Sequence, residues 1–305
     1  MFMFRAGFWK GVYHLADPKI TLASMAAIFL GACAAKARGA VDPWILALIV
    51  VGIWCLETAK NASGEIFDFD SGADTGVKPE DRSPFSGGKR VIVDSLLTRK
   101  ETMGIAAAFY AACAAIGLWI ALARQPGVLC VGLTGAALAY FYNAPPFQLS
   151  YHGWGEAAVG LAYGPLIGGG TYLALAGGLP WQILVLMVPL GLAVADFLWI
   201  NEFPDYESDK AAGKRNWVVR LGREKAVGVF AGVAGAAAAV LALLPLTGMP
   251  KTVWLGELFL VPAALAALMV IRAPTAISRI IPAQVLALAA FITLSLGSGI
   301  GILLR

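Results

Sequence analysis

Charged residues are scarce in this chain of 305 residues: they make up 14% of it, against about 25% in an ordinary soluble domain. The chain has only two histidines and four cysteines, and no two cysteines have the spacing of metal ligands. This composition excludes a soluble globular enzyme, a disordered chain and a disulfide-stapled secreted module. Hydrophobic residues instead make up 59% of the sequence, which is typical of a protein that crosses a membrane several times.

The apolar stretches are long and do not alternate with polar residues, so they predict helices rather than a transmembrane barrel. Most of them reach the roughly 17–25 residues that a helix needs to cross a bilayer. The predicted fold is therefore an all-α polytopic membrane protein with nine transmembrane helices. The nine predicted spans are residues 20–36, 43–59, 103–123, 127–143, 156–176, 181–200, 226–248, 254–271 and 280–304.

Two polar segments, 60–102 and 201–225, follow the second and sixth spans, and both emerge on the side of the N-terminus. Eighteen of the 23 lysines and arginines lie on that side. Because cytoplasmic loops carry an excess of basic residues, this asymmetry predicts a cytoplasmic N-terminus, two cytoplasmic cap loops and an external C-terminus. Sixteen of the nineteen acidic residues lie on the same side, and the charge rule does not explain them.

Two matched polar sets account for part of this acidity. One continues the second span and the other continues the sixth, and within each set the residues recur at a spacing that shares one helix face. Carboxylate and amide oxygens near a membrane surface suit Mg²⁺, which prefers a few carboxylates together with waters and substrate phosphates. The predicted metal ligands are Asn61, Glu65, Asp68, Asn201, Asp205 and Asp209.

The sets stand at equivalent places in two halves of the chain. We therefore predict one domain, residues 1–305, made of two four-helix pseudo-repeats, roughly 18–143 and 156–271, and a ninth helix. Each pseudo-repeat would present one polar set to a shared cavity.

The charge of these sets also predicts a phosphorylated ligand. Two Mg²⁺ ions would cancel the four carboxylates, and a diphosphate would then need further positive charge. Arginine suits bidentate contacts with phosphate, and lysine acts as a point charge. Basic residues that follow the two sets are predicted to bind the diphosphate: Arg82, Lys89, Arg90, Lys210, Lys214 and Arg215. The segment 83–90 lacks the Gly-x4-Gly-Lys-Ser/Thr pattern of a nucleotide-binding loop.

These motifs resemble those of the UbiA superfamily of intramembrane prenyltransferases, and most of all its 1,4-dihydroxy-2-naphthoate polyprenyltransferase branch. The strongest match is the acidic motif with its basic tail, residues 201–223. A second match joins residues 142–146, which read Tyr-Asn-Ala-Pro-Pro, to segments 151–156 and 164–172, and a third runs from Asp74 to Arg90. The resemblance implies nine transmembrane helices around a central cavity, two Mg²⁺ ions holding a polyprenyl diphosphate, and an aromatic acceptor alkylated on carbon.

The first acidic motif departs from the family pattern, which usually reads Asn-x3-Asp. Gly64 stands at the asparagine position and Glu65 stands where aspartate is common, so Asn61 is the predicted substitute ligand. Residues 17–19 read Asp-Pro-Lys where the family often has Arg-Pro-Lys, which leaves Lys19 as the implied diphosphate contact. Three positions that are often basic in relatives, and that bear on whether the acceptor carries a carboxylate, are Gln148, Ser150 and His152.

The reaction expected from the resemblance is an electrophilic aromatic substitution. Asp68, Asp205 and Asp209 would support departure of the diphosphate as the allylic C–O bond breaks. An apolar cavity under the cap loops would shield the allyl cation from water. The ring of Tyr142 would stabilise that cation and, with Asn143, contact the acceptor. The candidate for orienting or deprotonating the acceptor is Glu156.

The expected partners are a polyprenyl diphosphate, an aromatic small molecule and the lipid of a bacterial inner membrane, in quinone synthesis of the menaquinone type. Neither nucleic acid nor an obligate protein partner is indicated. Two alternatives remain open: a prenyltransferase for a non-quinone acceptor such as a prenylglycerol ether precursor, and a non-enzymatic divalent-cation transporter. A transporter would hold its acids near the bilayer midplane on broken helices, whereas these sets stand at one end of the predicted spans.

Overall fold

The computed structural model describes residues 7–73 and 75–304, so Asp74, the start of the third motif match, lies outside the described residues. These residues are mostly helical, and no strand forms among them. The α-helices are α1 (Phe8–Ala16), α2 (Pro18–Lys36), α3 (Pro43–Ser71), α4 (Arg99–Ala123), α5 (Gly127–Phe141), α6 (Gly155–Leu161), α7 (Ile167–Ala176), α8 (Trp181–Asn201), α9 (Tyr206–Ala211), α10 (Trp217–Leu221), α11 (Arg223–Leu243), α12 (Leu260–Arg272) and α13 (Ile277–Leu303).

Eight helical stretches among the described residues are long and apolar enough to cross a membrane. The predicted fourth span, 127–143, is instead the 15-residue helix α5. A helix of that length rises about 22 Å, which is less than the roughly 30 Å of a hydrocarbon core. Nine full spans are therefore not confirmed. The eight stretches are Phe8–Lys36, Pro43–Ser71, Arg99–Ala123, Gly155–Ala176, Trp181–Asn201, Arg223–Thr247, Lys251–Arg272 and Ile277–Leu303.

Helix α3 extends well beyond the span predicted at 43–59. It has 29 residues, or about 43 Å of rise. Asp42 caps its start by accepting a hydrogen bond from the amide of Trp44 at 2.9 Å, and Gly72 ends it with a φ of 84°. The predicted cap loop 60–102 therefore begins inside this helix, as the shared helix face of the first polar set implied. Its first twelve residues are helical, which places the whole first polar set on α3.

Glycines let the helices around the centre of the molecule approach closely. A Cβ atom on Gly31 of α2 would lie 2.3 Å from the carbonyl oxygen of Gly168 in α7, and one on Gly191 of α8 would lie 2.3 Å from that of Gly160 in α6. Small residues at such crossings are common in membrane helices because they let backbones meet. A π-helical turn, Ala162–Leu166, joins α6 to α7. Helices α2, α6, α7 and α8 thus form one side of the bundle.

The segment between α3 and α4 is irregular in its described part and lies across one end of the bundle. Lys19 of α2 donates to the carbonyl of Pro84 at 2.7 Å. The amide of Gly87 donates to Asp205 Oδ2 at 3.1 Å. Gly87 has a φ of 90°, a conformation that glycine adopts without the steric cost of a Cβ. This cap loop therefore connects α2 with the residues that follow α8.

We expect both polar segments to be inaccessible from outside the cell, because the basic residues concentrate there. In a variant without native cysteines, Arg38→Cys marks one end of the bundle, and Ser71→Cys and Glu207→Cys mark the other. A membrane-impermeant maleimide added to intact cells should label Arg38→Cys only, and after permeabilisation all three should react. Labelling of Ser71→Cys and Glu207→Cys on intact cells would reverse the orientation.

Candidate active site

Both polar sets face one cavity of about 350 Å³ in the bundle. The first set reaches it from α3, and the second from the end of α8 and from α9. The rest of the wall is largely apolar and comes from α2, α5, α8 and the turn between α6 and α7. Six predicted residues, separated by up to 148 positions in the chain, thus meet at one space: Asn61, Glu65, Asp68, Asn201, Asp205 and Asp209.

Asp68 is held in place by residues from three other segments. Asn143 Nδ2 donates to its Oδ2 at 2.7 Å, and the hydroxyl of Tyr151 donates to its Oδ1 at 2.8 Å. Lys214 Nζ lies 3.3 Å from the same Oδ1. A carboxylate offers about four lone-pair sites, so these contacts orient Asp68 and still leave it able to accept from a ligand.

The second set combines burial with unsatisfied oxygens. Among the described residues, Asn201 Oδ1 and Asp205 Oδ1 are buried and have no hydrogen-bond partner. Burial and the neighbouring carboxylate of Asp209 together raise the pKa of the Asp205 carboxyl to about 7. Burial also raises the pKa of Asp209. A raised pKa means that the charged form is disfavoured as the site stands, so a bound cation would stabilise these groups.

Lys214 links the two sets. Its ammonium lies 3.3 Å from Asp68 and 3.6 Å from Asp209 Oδ1, and its side chain is 14% exposed. Asn216, which follows closely, donates to Asp209 Oδ2 at 2.9 Å and caps α10 by accepting from the amide of Val219. The segment after the second acidic set thus brings a cation back to both clusters.

The unpaired oxygens fit a divalent cation in donor type, because hard cations prefer carboxylate and carbonyl oxygens. Within the described part of the chain, however, no three acidic, histidine or cysteine side chains converge closely enough to form a metal cluster. The oxygens face the same cavity, with the ammonium of Lys214 between Asp68 and Asp209. Ligation by these side chains, and the number of ions, therefore stay predictions.

Two residues of the first set have other partners than a metal ion. Glu65 accepts from the backbone amides of Arg90 and Ile92, each at 3.1 Å, which attaches the cap loop to α3. Asn61 donates to the carbonyl of Leu15 at 2.8 Å, which attaches α1. These contacts support structural roles for both side chains, although each also borders the cavity.

Only two of the basic residues predicted to bind a diphosphate line the cavity, Lys89 and Lys214. Lys89 forms an ion pair with Asp17, and this acid stands where the family often has arginine. Most of the remaining predicted bases do not line the cavity and contact carbonyls, a ring or another acid instead. These pairs are Lys19 with the carbonyl of Pro84, Arg82 with the carbonyl of Val77, Arg90 with Asp94, and Lys210 with the ring of Tyr206. Arg215 is itself exposed.

Of the three residues predicted to contact the acceptor, two line the cavity and one does not. Tyr142 lines the cavity, and Lys60 lies over its ring at 5.5 Å. Asn143 also lines it, but its amide is engaged with Asp68. Glu156 does not line the cavity; its Oε1 accepts from the amide of Trp217 at 2.9 Å. Its predicted role in deprotonating the acceptor therefore lacks direct access to the cavity.

The sequence reasoning missed three charged residues that line the cavity: Glu57, Lys60 and Glu202. Glu57 lies near the end of the predicted span 43–59 and Lys60 directly after it, and both were counted only as charges of the cytoplasmic side. Glu57 lies one helical turn before Asn61, on the helix face that Asn61 and Asp68 share. The helical periodicity could therefore have identified Glu57 as a residue of the cavity. Burial and the nearby acids Glu156 and Asp209 raise the pKa of Glu202 well above its usual value.

Comparisons with known proteins establish the family of this chain. The model of the UbiA prenyltransferase family matches residues 24–300. The chain belongs to this family. The protein is therefore a membrane-embedded prenyltransferase, and the cavity lies in such an enzyme.

Two relatives are similar in sequence to this UbiA family member. The 1,4-dihydroxy-2-naphthoate octaprenyltransferase of Bacillus subtilis is 26% identical over 82% of this chain and 78% of its own length. The 2-carboxy-1,4-naphthoquinone phytyltransferase of Synechocystis is 28% identical over 68% of this chain, which spans 66% of that relative.

Solved structures share the fold of this family member. A UbiA homologue from Aeropyrum pernix superposes with a TM-score of 0.65 at 21% identity, over 93% of this chain and 97% of the other. A homologue from Archaeoglobus fulgidus bound to GPP and Mg²⁺ gives a TM-score of 0.61 at 16% identity, over 94% and 99% of the two chains.

The position of Lys214 between two carboxylates predicts a stability effect that Lys210 should lack. Lys214→Met leaves Asp68 and Asp209 without their shared cation and should lower the free energy of unfolding by about 2 kcal/mol. Lys210→Met removes an exposed ammonium and should change it by less than about 0.5 kcal/mol. Thermal unfolding of the detergent-solubilised variants measures both. Equal losses in the two variants would contradict the placement of Lys214.

Proposed function

We propose that this membrane enzyme transfers a prenyl group from a polyprenyl diphosphate to a carbon atom of an aromatic acceptor, in the synthesis of a menaquinone-like quinone. The observation that carries the proposal is the convergence of two acidic sets and two lysines at one end of a largely apolar cavity. A polyprenyl diphosphate matches this arrangement, because it joins a highly charged diphosphate group to a long apolar isoprenoid chain.

The charged end supports binding of the diphosphate. Lys89 and Lys214 offer ammonium groups to phosphate oxygens, and Asn201, Asp205 and Asp209 offer oxygens to Mg²⁺. Mg²⁺, when bound, would neutralise charge on the leaving group and so favour breaking of the allylic C–O bond. The homologue from Archaeoglobus fulgidus bound to DMAPP and Mg²⁺ is consistent with this chemistry.

The chain's own residues would then control the cation. Tyr142, whose ring already carries Lys60 on one face, borders the space where the prenyl carbon would lie, and its ring can stabilise positive charge. Phe197 and Phe85 contribute further apolar wall. The cap loop excludes water because Gly87 and the amides of residues 90 and 92 attach it to both acidic sets. Exclusion of water prevents hydrolysis of the cation.

The relatives support an aromatic acceptor over the prenylglycerol alternative. Both sequence relatives described above carry naphthoate or naphthoquinone acceptors in their names, whereas the digeranylgeranylglyceryl phosphate synthase structure is similar at only 15% identity. A cation transporter is disfavoured because the acids stand at one end of the helices and beside lysines. We further propose the bacterial inner membrane, with the cap loops in the cytoplasm and the C-terminus outside.

The test is to incubate the purified enzyme with Mg²⁺, prenyl diphosphates of several lengths, and an acceptor panel of 1,4-dihydroxy-2-naphthoate, 4-hydroxybenzoate and geranylgeranylglyceryl phosphate, and to weigh the products. We expect a prenylated naphthalene ring, no product with EDTA, and a rate at least 100-fold lower for Asp205→Asn. The matched control Glu207→Gln removes an exposed acid two residues away and should keep the rate. Product from the glycerol ether alone, or equal rates in both variants, would contradict the proposal.

A further inference from the structure

A second polar group lies in the cavity wall, deeper in the bundle than the acidic sets. Glu57 stands on α3, eleven residues before Asp68, which corresponds to about 16 Å along the helix axis. Eleven residues make just over three full turns, so both side chains point to the same side, and both line the cavity. The wall around Glu57 is otherwise apolar and includes Ala23, Ile53 and Val194.

Glu57 is held in place through one carboxyl oxygen, and its other oxygen has no hydrogen-bond partner in the part of the chain that the structure describes. Its Oε1 accepts from Ser24 Oγ of α2 at 2.5 Å and from the hydroxyl of Tyr163 at 3.0 Å. Its Oε2 is buried and has no partner among the described residues, and the whole residue is 7% exposed. Hydrogen bonds from two different helices thus fix the carboxyl while leaving one oxygen available.

An unpaired buried carboxylate oxygen is costly, because it has lost its hydrogen bonds to water. The isoprenoid tail of the donor cannot relieve this cost, since it has no hydrogen-bond donor. A hydroxyl group on an aromatic ring can do so, and the apolar side chains of Ala23, Ile53 and Val194 in the cavity wall suit the ring itself. Lys60, one turn along α3, also lines the cavity.

We infer that Glu57, fixed by Ser24 and Tyr163, binds a ring hydroxyl of the aromatic acceptor and accepts its proton during prenyl transfer. This inference rests on the aromatic acceptor of the proposed function. It assigns an acceptor subsite on α3, α2 and the turn after α6, separate from the charged end that takes the diphosphate. Glu156, the residue expected from the sequence to have this role, has no access to the cavity.

The step balances without a further reactant. The O–H bond of the ring hydroxyl breaks, its proton goes to Glu57 Oε2, and the oxygen's electrons make the ring carbon nucleophilic. The allylic C–O bond breaks with its electron pair leaving on the diphosphate, and the ring carbon then forms a bond to the prenyl cation. The resulting ring ketone loses its ring proton to the departed diphosphate, or loses carbon dioxide where that carbon carries a carboxylate. The electron pair returns to the oxygen, which takes its proton back from Glu57.

The experiment compares acceptors that differ only in the hydroxyl. The probes are 1,4-dihydroxy-2-naphthoate and its two mono-methyl ethers, which keep the ring and its substituents but remove one donor each. Wild-type kcat/KM should favour the free hydroxyl over one of the ethers by about 10- to 100-fold. In Glu57→Gln that ratio should fall at least fivefold, because the neutral amide cannot take the proton.

Two further variants keep the test decisive. Tyr163→Phe removes one of the hydrogen bonds that hold Glu57 and should lower the same ratio at least twofold, even if Glu57→Gln does not fold. Ser63→Ala removes a buried hydroxyl from the side of α3 that contacts Tyr110 and should leave the ratio unchanged. An equal loss of rate with all three acceptors in both Glu57→Gln and Tyr163→Phe, or no loss in either, would overturn the inference.

Donor chemistry separates this inference from the proposed function. Without acceptor, binding of geranyl diphosphate in the presence of Mg²⁺ reports on the charged end alone. Asp205→Asn should lose this binding, whereas Ser63→Ala should keep it. If wild-type protein neither binds geranyl diphosphate nor transfers the prenyl group, the proposed function fails and the acceptor subsite fails with it; if only the ratio test fails, the prenyltransferase proposal stands.

Discussion

The mutual repulsion of buried carboxylates is the constraint on which the rest of this structure depends. Asp68, Asp205 and Asp209 come from two distant parts of the chain and face one cavity, where water cannot screen them as it does at a surface. Lys214 offsets part of this repulsion by contacting Asp68 and Asp209. Burial, together with the remaining repulsion, raises the pKa of Asp205 to about 7, and a cationic ligand would stabilise its charged form.

Acids of the same two polar sets also hold the cap loop in place. Asp205 accepts from the cap loop at Gly87, and Glu65 accepts from it at residues 90 and 92. In the proposed mechanism, recognition of the diphosphate and exclusion of water from the apolar cavity would therefore share residues. A ligand that changes the charge at the acidic sets would act directly on the contacts that hold the cap loop.

Much of the fold and part of the site could be predicted from the sequence, and the limits have physical causes. Hydropathy located the helices, and the matched Asn-x3-acid spacing brought the two acidic sets to one face each. Hydropathy alone places the end of the second span near residue 59, whereas α3 continues because its charges face a cavity. Glu57 and Lys60 were counted only as charges of the cytoplasmic side, so their place in the cavity wall was missed.

Contacts made by irregular segments were beyond prediction from the sequence. Basic residues near an acidic motif look equivalent in a sequence, yet Lys214 lies between two carboxylates while Lys210 stacks on Tyr206 at the surface. The pairing of Asn143 with Asp68 likewise depends on a turn that contains two prolines and has no periodicity to read. Such contacts are set by tertiary packing rather than by local pattern.

The central claim is that Asp68 of α3 and Asp205 after α8 serve one ligand, and a double-mutant cycle tests it most directly. Affinity for geranyl diphosphate with Mg²⁺ would be measured for the wild type, Asp68→Asn, Asp205→Asn and the double variant. If both carboxylates serve one site, each single variant should lose most of the affinity, and the double variant should lose far less than the sum of the two free-energy changes. Additive losses, or full affinity in either single variant, would contradict the account.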